Sequence, residues 1–335
     1  MKPLFYFFVV FSLLTFCACS EKDETPAESI EDNWYTNIDT TAELVVLVPD
    51  IQMYTYISDN NRYLDTMITR LLQLKAHGYR IKAVLQTGDI TNRHNTGEWE
   101  IAKNIFSKLD NNIPYILCTG NHDYESSTRN TAYSRYFDYS SDGYYLASFR
   151  RGRYENSAFR ISLARQPFII YSLEFAPSDE VLAWADSIAG ANSGDAGMVL
   201  THAYLYKNKE RFNFSAYGYN QLNSPYDYNL PSSENINDGE EIWQKLVYPN
   251  DAIRFVLCGH MDYPNYAGNL ISINVNGNRC LQMLFDTQSF PKGGEGLVQV
   301  LAFNRDQKTV DIYTCSLTEG IWLVGGNLHY RFEWN

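Results

Sequence analysis

The feature that most constrains the fold of this chain is a repeated unit made of a short apolar run, a polar loop and an amphipathic segment. The apolar runs are four to six residues long and occupy 44–48, 83–86, 115–118, 168–173, 198–201 and 253–258. Runs of this kind are typical of strands buried on both faces. Segments with helical apolar spacing lie between them at 62–77, 98–109, 179–189 and 240–247. The alternation predicts an α/β fold, in which ligands bind beyond the carboxyl ends of the strands.

The pattern changes after Leu270 to short β-like runs separated by Gly, Asn and Asp turns. These runs occupy 271–275, 281–285, 296–303 and 309–314. They are too short to bury a core of their own. We therefore expect them to form a second sheet packed on the first, within one domain that covers 43–335.

Side chains that can bind metal ions follow five of the apolar runs. In chain order they are Asp50 and Gln52, then Asp89, then Asn121, His122 and Asp123, then His202, and finally His260 and Asp262. A single Asp or His in a loop is usually a turn residue or a hydrogen-bonded side chain. It is the combination of all five loops at strand ends that predicts a metal site.

The motifs at 88–89 (GD) and 120–123 (GNHD) resemble those of the calcineurin-like metallophosphoesterases, and the resemblance extends from about Glu43 to the C-terminus. The motif at 49–52 (PDIQ) is similar to the first motif of a bacterial secreted branch of that superfamily. The resemblance implies a four-layer αββα sandwich, of mixed α/β and α+β character. It also implies two divalent metal ions that activate water for attack on a phosphate mono- or diester.

The same resemblance implies a role for each loop. The first cation would take an all-oxygen ligand set: Asp50, Gln52, Asp89 and Asp262. The second cation would share the bridging carboxylate and add an amide oxygen and two imidazoles: Asp89, Asn121, His202 and His260. His122 is implied as the group that faces the leaving oxygen, with Asp123 fixing its tautomer and orientation.

Two of these positions depart from the commonest family pattern, because Gln52 and Asp262 each stand where His is usual. An oxygen-only first site suits Mn²⁺, Mg²⁺ or Ca²⁺ better than Zn²⁺, whereas the second site suits Mn²⁺, Fe²⁺ or Zn²⁺. We therefore expect a weaker first site, and two tightly retained Zn²⁺ ions would contradict this. Asn92 stands where purple acid phosphatases place a metal-binding Tyr, which argues against that class. The motif around Asp286 and Gln288 also resembles the bacterial branch, and we expect a supporting role for it.

The stretch between His202 and Gly239 is rich in aromatic residues, in a chain with 26 Tyr. It either forms a rim, in which Tyr204 and Tyr206 contact the sugar or base of a substrate, or packs on the body through its rings. His94 is a further candidate for phosphate binding. The expected partner is a phosphorylated small molecule, glycan or nucleotide. An alternative function is a surface lipoprotein that binds a glycan or nucleotide without turnover.

The N-terminus predicts export and a lipid anchor. An apolar run at 4–16 indicates a signal peptide over 1–18, with Cys19 as the lipidated residue and a polar tether over 19–42. We expect an outer-membrane lipoprotein, facing the periplasm or the cell surface, whose only membrane contact is this anchor. A plain secretory signal is the alternative.

The acidic composition limits the possible partners, and the remaining cysteines bear on the redox state. A formal net charge of −12 argues against binding of nucleic-acid duplexes, and we expect a monomer. Cys118 and Cys258 each end an apolar run, where Cys serves as a small apolar residue. No disulfide between them is predicted.

Overall fold

A computed structural model describes residues 38–125, 128–207, 209–228, 230, 235–262, 266–305 and 308–334. The predicted signal peptide and Cys19 lie outside the described residues. Ile38 and Ala42 are buried in the core, so the last residues of the predicted tether belong to the packed domain. Among the helices of the described ranges, none has the length and apolar character that crossing a membrane requires.

Strands account for most of the regular structure. In chain order they are β1 (Glu43–Val48), β2 (Arg80–Gln86), β3 (Tyr115–Leu117), β4 (Tyr145–Arg150), β5 (Arg153–Leu163), β6 (Gln166–Ser172), β7 (Ala196–Leu200), β8 (Leu205–Lys207), β9 (Glu210–Arg211), β10 (Ile253–Cys258), β11 (Ala267–Ile273), β12 (Arg279–Phe285), β13 (Leu297–Phe303), β14 (Thr309–Ser316), β15 (Ile321–Leu323) and β16 (His329–Glu333).

The helices connect these strands. They are α1 (Gln52–Tyr56), α2 (Asn61–Ala76), α3 (Thr96–Phe106), α4 (Tyr133–Tyr136), α5 (Asp179–Ala191), α6 (Phe214–Tyr217) and α7 (Gly239–Ile242). One π-helical segment, Trp243–Val247, extends α7. Short 3₁₀ turns occupy Ser58–Asn60, Ser107–Leu109, Asn121–Asp123, Gly218–Asn220, Pro225–Tyr228 and Pro291–Gly293.

Local sequence explains why the long helices form where they do. The buried face of α2 repeats at helical spacing through Leu64, Met67, Ile68 and Leu71. The helix α5 begins at the side chain of Ser178, which accepts a hydrogen bond from a backbone N–H of the first turn. Asn95 caps α3 in the same way. Each predicted helix is thus present, with ends that differ by a few residues.

Two seven-stranded sheets form the centre of the molecule. The first has the order β15-β14-β13-β1-β2-β3, with β16 also paired to β14, and the second has the order β11-β12-β10-β7-β6-β5-β4. Strands β1, β2 and β3 are parallel in the first sheet, as are β6, β7, β10 and β12 in the second. The carboxyl ends of parallel neighbours lie at one edge of a sheet, so each sheet has one edge suited to a ligand site.

Alternating residues of the second sheet face two different cores. Phe168 and Phe255 point to the first sheet, where their rings lie 5.7 and 5.4 Å from that of Phe303. Ile169 and Val256 belong to the core on the other side, shared with α5 and α7. The helices α2 and α3 cover the outer face of the first sheet. The result is a single-domain αββα sandwich, which confirms the predicted fold class.

One expectation about the sheets is wrong. The strands after residue 270 do not form a separate sheet, because β12 pairs with β10 in the second sheet and β13 pairs with β1 in the first. The prediction also missed β4 and β5, whose charged and polar residues hide the apolar alternation. The four described cysteines are buried and free, which agrees with the absence of a predicted bridge between Cys118 and Cys258.

Candidate metal centre

The predicted ligands meet where the two sheets end. Asp50, Asp89 and Asn121 follow β1, β2 and β3 of the first sheet, and His202 and His260 follow β7 and β10 of the second. The carboxyl ends of these parallel strands point to the same end of the sandwich. The sequence prediction that these five loops converge is therefore consistent with the observed topology.

Two glycines make the close approach of these loops possible. A Cβ on Gly120 would lie 2.1 Å from Asp89 Oδ1, and a Cβ on Gly259 would lie 1.9 Å from Asp50 Oδ1. Neither backbone could carry a larger side chain without moving the neighbouring carboxylate.

Four ligand-type atoms surround one point next to His202. Its Nε2 lies 3.1 Å from Asn121 Oδ1, 3.1 Å from His260 Nδ1 and 3.3 Å from Asp89 Oδ1. His202 is fully buried, and Asp89 is 2% exposed. One carboxylate oxygen, one amide oxygen and two imidazole nitrogens form a donor set that suits Mn²⁺, Fe²⁺ or Zn²⁺.

The tautomers of the two histidines are fixed by backbone carbonyl groups. His202 Nδ1 donates to Thr87 O at 2.8 Å, and His260 Nε2 donates to Asn223 O at 2.8 Å. The nitrogens that face each other are then lone-pair atoms in the neutral rings, an arrangement that requires a cation or proton between them. Metal-bound histidines typically donate their other N–H in this way, so these residues fit a metal ion.

The electrostatics of the cluster lead to the same conclusion. Burial lowers the pKa of His260 to about 3, and the charge of His202 adds to this effect. Burial opposes the protonation of His202, but the Asp89 carboxylate outweighs it and raises the pKa of His202. Burial likewise opposes ionisation of Asp89, yet its pKa is lowered, chiefly by His202. One positive charge is thus stabilised where a divalent cation would lie.

The oxygen-rich half is assembled around Asp50. Its carboxylate accepts hydrogen bonds from Thr87 Oγ1 and from the His260 N–H, both at 3.1 Å. Burial raises the pKa of Asp50, as do the neighbouring carboxylates. One ligand atom each from Asp50, Asp89 and His202 lie within 4.8 Å of one another. Gln52 Nε2 donates to Asp89 Oδ2 at 2.9 Å, and Gln52 Oε1 is buried without a hydrogen-bond partner among the described residues.

Asp262 is not one of the three residues Asp50, Asp89 and His202 whose ligand atoms cluster. Its carboxylate contacts the hydroxyl of Ser289, and the residue is half-buried. The structure thus brings Asp50, Gln52 and Asp89 together and leaves Asp262 attached to the loop that follows β12.

His122 lies beside the cluster with its side chain 41% exposed. Its Nδ1 donates to the Asn92 carbonyl oxygen at 2.8 Å, and its Nε2 lies 4.0 Å from Asp89 Oδ2. The role predicted for Asp123 is corrected here, because Asn92 and not Asp123 fixes the tautomer. The buried carboxylate of Asp123 instead accepts from backbone N–H groups after β2 and β3 and from Thr91 Oγ1. Burial raises its pKa to about 7.

A cleft of about 360 Å³ opens next to His122. Its walls combine polar groups with aromatic rings, and the lining residues are Asn92, Arg93, Asn121, His122, Tyr124, Glu125, Thr128, Phe175, Tyr228 and Leu230. The rings of Phe175 and Tyr228 also lie 6.0 and 5.9 Å from that of His260. A larger cleft of about 470 Å³ lies at the opposite, amino-terminal end of β3, away from the ligand cluster.

The three residues predicted to contact substrate lie elsewhere. Tyr204 is fully buried and donates to Gln282 Oε1 at 2.9 Å, so its predicted contact with substrate is wrong. Tyr206 is 9% exposed and packs on Phe212. His94 Nε2 accepts from the Ala132 N–H at 3.0 Å. Tyr204 and Tyr206 thus pack on the body, as the second predicted alternative has it, whereas Tyr228 lines the cleft and Tyr217 and Tyr219 are exposed.

Two features of the site could not be read from the sequence. Phe175 carries no motif signal, and its position depends on the loop after β6, where Arg129 donates to its carbonyl oxygen. Asn223 binds His260 through a backbone carbonyl group, which any residue type can supply. Tyr228, in contrast, belongs to the aromatic stretch that the composition had singled out.

The fold and this cluster define an αββα protein with a metal centre at the shared end of its two sheets. A sequence profile of the calcineurin-like phosphoesterases matches residues 44–264, and the chain belongs to that family. Membership supports metal-dependent phosphoester hydrolysis as the type of chemistry at this centre.

The known proteins that are similar to this chain include one relative in sequence and one solved structure. The uncharacterized protein YvnB of Bacillus subtilis (strain 168) is 27% identical over 287 residues, which are 80% of this chain and 20% of YvnB. The chain thus spans about one fifth of the length of that relative. The purple acid phosphatase PPD1 isolated from yellow lupin (Lupinus luteus) seeds has a TM-score of 0.51 at 13% identity, over 88% of this chain and 54% of that one. This second likeness concerns the fold alone.

Proposed function

We propose that the chain is a phosphoester hydrolase with a dinuclear metal centre that acts on a phosphate mono- or diester. The observation that carries the proposal is the approach of Asp89 Oδ1, Asn121 Oδ1 and His260 Nδ1 to within 3.3 Å of His202 Nε2. Gln52 contacts the other oxygen of Asp89, Oδ2, and Asp50 lies within 4.8 Å of Asp89, so this second oxygen could serve a second cation.

The residues divide into two ligand groups that share Asp89. Asn121, His202 and His260 would hold one ion, and Asp50 and Gln52 would contribute to the other. Bound there, divalent cations supply charge stabilisation for phosphoryl oxygens and lower the pKa of a bound water. The buried Asp50 carboxylate is held by hydrogen bonds from Thr87 and the His260 N–H, so it is already oriented for this role.

His122 has the geometry of a proton donor. Because its Nδ1–H is committed to the Asn92 carbonyl group, Nε2 is the ring nitrogen that is left to face a bound ester. That atom lies 4.0 Å from Asp89 Oδ2 and borders the cleft. A protonated Nε2 would donate to the leaving oxygen of an ester held at the metal centre beside Asp89.

The cleft supports an organic leaving group with a flat face. Phe175 and Tyr228 offer rings on one side, and Asn92, Arg93 and Glu125 offer polar groups. Such a wall suits a sugar, a base or an aryl group. The substrate class we propose is therefore a phosphorylated sugar, glycan or nucleotide.

Hydrolysis of an aryl phosphate monoester and a bis-aryl phosphodiester, with added Mn²⁺, tests the proposal. We expect His202→Ala and His122→Ala each to lower kcat by about 10²-fold or more. A matched control is His329→Ala, since His329 is exposed in β16 and stacks on Tyr313. Metal-independent turnover, or no turnover of either ester, would refute the proposal, and the second result would favour the binding lipoprotein.

We also propose that Cys19 carries a lipid that anchors the protein to the outer membrane. The support is the apolar run at 4–16 followed by a small residue and Cys19. Metabolic labelling with a radioactive fatty acid should mark the wild type and not Cys19→Ser. Equal labelling of both would refute the anchor and leave the hydrolase proposal untouched.

A further inference from the structure

The loop that follows β12 lies next to the oxygen-rich half of the centre. Strand β12 runs parallel to β10, with Leu284 paired to Cys258. The residues after β12 therefore leave the sheet beside the loop that carries His260. Two side chains of this loop contact predicted metal ligands, because Gln288 contacts Gln52 and Ser289 contacts Asp262.

The contact between Gln288 and Gln52 lies directly at the first cation site. Gln52 Nε2 donates both to Gln288 Oε1 and to Asp89 Oδ2, the latter at 2.9 Å. Two acceptor oxygens, one from each sheet, thus converge on the end of one buried side chain. Gln52 itself is 1% exposed.

Asp286 determines which atom Gln288 presents to this point. The carboxylate of Asp286 is fully buried and accepts from the Gln288 backbone N–H at 3.0 Å and from Gln288 Nε2 at 2.9 Å. The backbone N–H of Gln288 donates to one oxygen of Asp286 and Nε2 donates to the other, so the amide nitrogen of Gln288 faces Asp286. Its oxygen is then directed at Gln52 and Asp89.

Gln52 supplies the second observation. With its nitrogen turned to the two acceptors, its own Oε1 is buried and has no hydrogen-bond partner among the described residues. Rotation of the amide by half a turn exchanges the two atoms. It would bring Gln52 Oε1 to the point where Asp89 Oδ2 and Gln288 Oε1 already converge. Three oxygens facing one another require a cation.

We propose that Gln288 is a ligand of the first cation, together with Asp50, Gln52 and Asp89, and that Asp286 is the positioning residue that directs its oxygen. This inference rests on the proposed dinuclear centre. Gln288 would take the coordination position predicted for Asp262, whose carboxylate contacts Ser289 in the same loop. Asp262 would then position this loop and not bind the ion.

Mn²⁺ binding to the metal-free protein tests the inference without reference to activity. Calorimetry should show two Mn²⁺ per wild-type chain, and electron paramagnetic resonance should show a spin-coupled pair. In Gln288→Leu we expect one site to remain and the affinity of the other to fall about 10- to 100-fold, with loss of the coupled signal. The control Gln244→Leu, at an exposed position whose side chain donates to Glu240, should behave as wild type.

A second variant covers the case in which Gln288→Leu fails to fold. The substitution Gln288→Glu would keep an oxygen ligand but set a carboxylate against Asp286, so the metal-free variant should unfold at a lower temperature than wild type. Mn²⁺ should then raise its unfolding temperature more than it raises that of wild type, because the cation removes the repulsion. If the Gln288 amide had a purely structural role, Mn²⁺ would raise the unfolding temperature of Gln288→Glu no more than it raises that of wild type.

The outcomes separate the two proposals. Two Mn²⁺ bound with wild-type affinity by Gln288→Leu, or no excess stabilisation of Gln288→Glu, would overturn the ligand assignment and leave the dinuclear centre standing. No Mn²⁺ bound by the wild type would overturn the dinuclear centre itself.

Discussion

The close approach of Gly259 to Asp50 allows a quantitative prediction for Gly259→Ala. The new Cβ would lie 1.9 Å from Asp50 Oδ1 and 2.7 Å from Thr87 Oγ1, whereas real Cβ atoms stay at least 3.0 Å from such neighbours. The carboxylate must therefore move by about 1.1 Å, the difference between 3.0 and 1.9 Å. Overpacking of this kind costs about 1–3 kcal/mol.

The displacement of Asp50 should weaken the first cation site before it unfolds the protein. Misplacing a functional group by about 1 Å lowers activity on the order of 10²-fold. We expect Gly259→Ala to lower kcat on the order of 10²-fold. We also expect the affinity for Mn²⁺ at the first cation site to fall about 10- to 100-fold. The second site should lose less affinity than the first, because the atoms nearest the new Cβ belong to Asp50 and Thr87 and not to Asn121 or His202.

The measurements are urea unfolding of the metal-free protein and Mn²⁺ titration of the folded one. Gly190→Ala is a matched control, since its Cβ would meet no atom within 4 Å in the helix α5. It should be stabilised by about 0.5–1 kcal/mol and bind Mn²⁺ as wild type does. Wild-type affinity at both sites in Gly259→Ala would show that Asp50 is not a ligand and refute the reasoning.

Further predictions concern the proton donor His122, the clamp that the Asp123 carboxylate forms on the loops after β2 and β3, the effect of pH, and the cleft. His122→Ala should keep its full metal content but lose about 10²- to 10⁴-fold in kcat, most for esters with poor leaving groups; equal losses for all leaving groups would contradict this. Asp123→Ala should lower the free energy of unfolding in urea by about 3 kcal/mol or more, because it leaves several buried N–H groups unpaired; a loss below about 1 kcal/mol would contradict the clamp. Burial raises the pKa of Asp50, so its carboxyl must release a proton to bind a cation; Mn²⁺ affinity should rise with pH, and calorimetry in buffers of different ionisation enthalpy should detect the released proton. Tyr228→Ala should raise KM for nucleotide or sugar esters more than for inorganic pyrophosphate; an equal change would argue that the ring does not contact the organic group.

The sequence predicted those parts of the site that follow from strand ends. Asp50, Asp89 and His202 each come directly after an apolar run, and parallel strands bring their carboxyl ends together whatever the distance along the chain. The fold class was predictable for the same reason, since apolar runs and segments of helical spacing alternate over most of the chain up to β10.

The remaining parts depend on contacts that residue types do not encode. The tautomer of His122 is fixed by the backbone carbonyl group of Asn92, and this group is the same in every residue. Gln288 and Gln52 are 236 positions apart in the chain, and their contact depends on the pairing of β12 with β10. The spacing of apolar residues predicts strands but not which strands pair. Tyr204 was misplaced because an aromatic ring with a polar tip suits both a rim and a core.

The division of the ligands between the sheets has a mechanical consequence. Asp89 and Asn121 belong to the first sheet and His202 and His260 to the second, so a cation held by all four would join the two halves of the sandwich at their open end. If one sheet slid past the other by the rise of a single strand residue, about 3.3 Å, His202 would separate from Asn121. Loaded protein should therefore resist this sliding and expose fewer cleavage sites to a protease than the metal-free form. The rate of proteolysis would then measure how many molecules in a sample carry their ions.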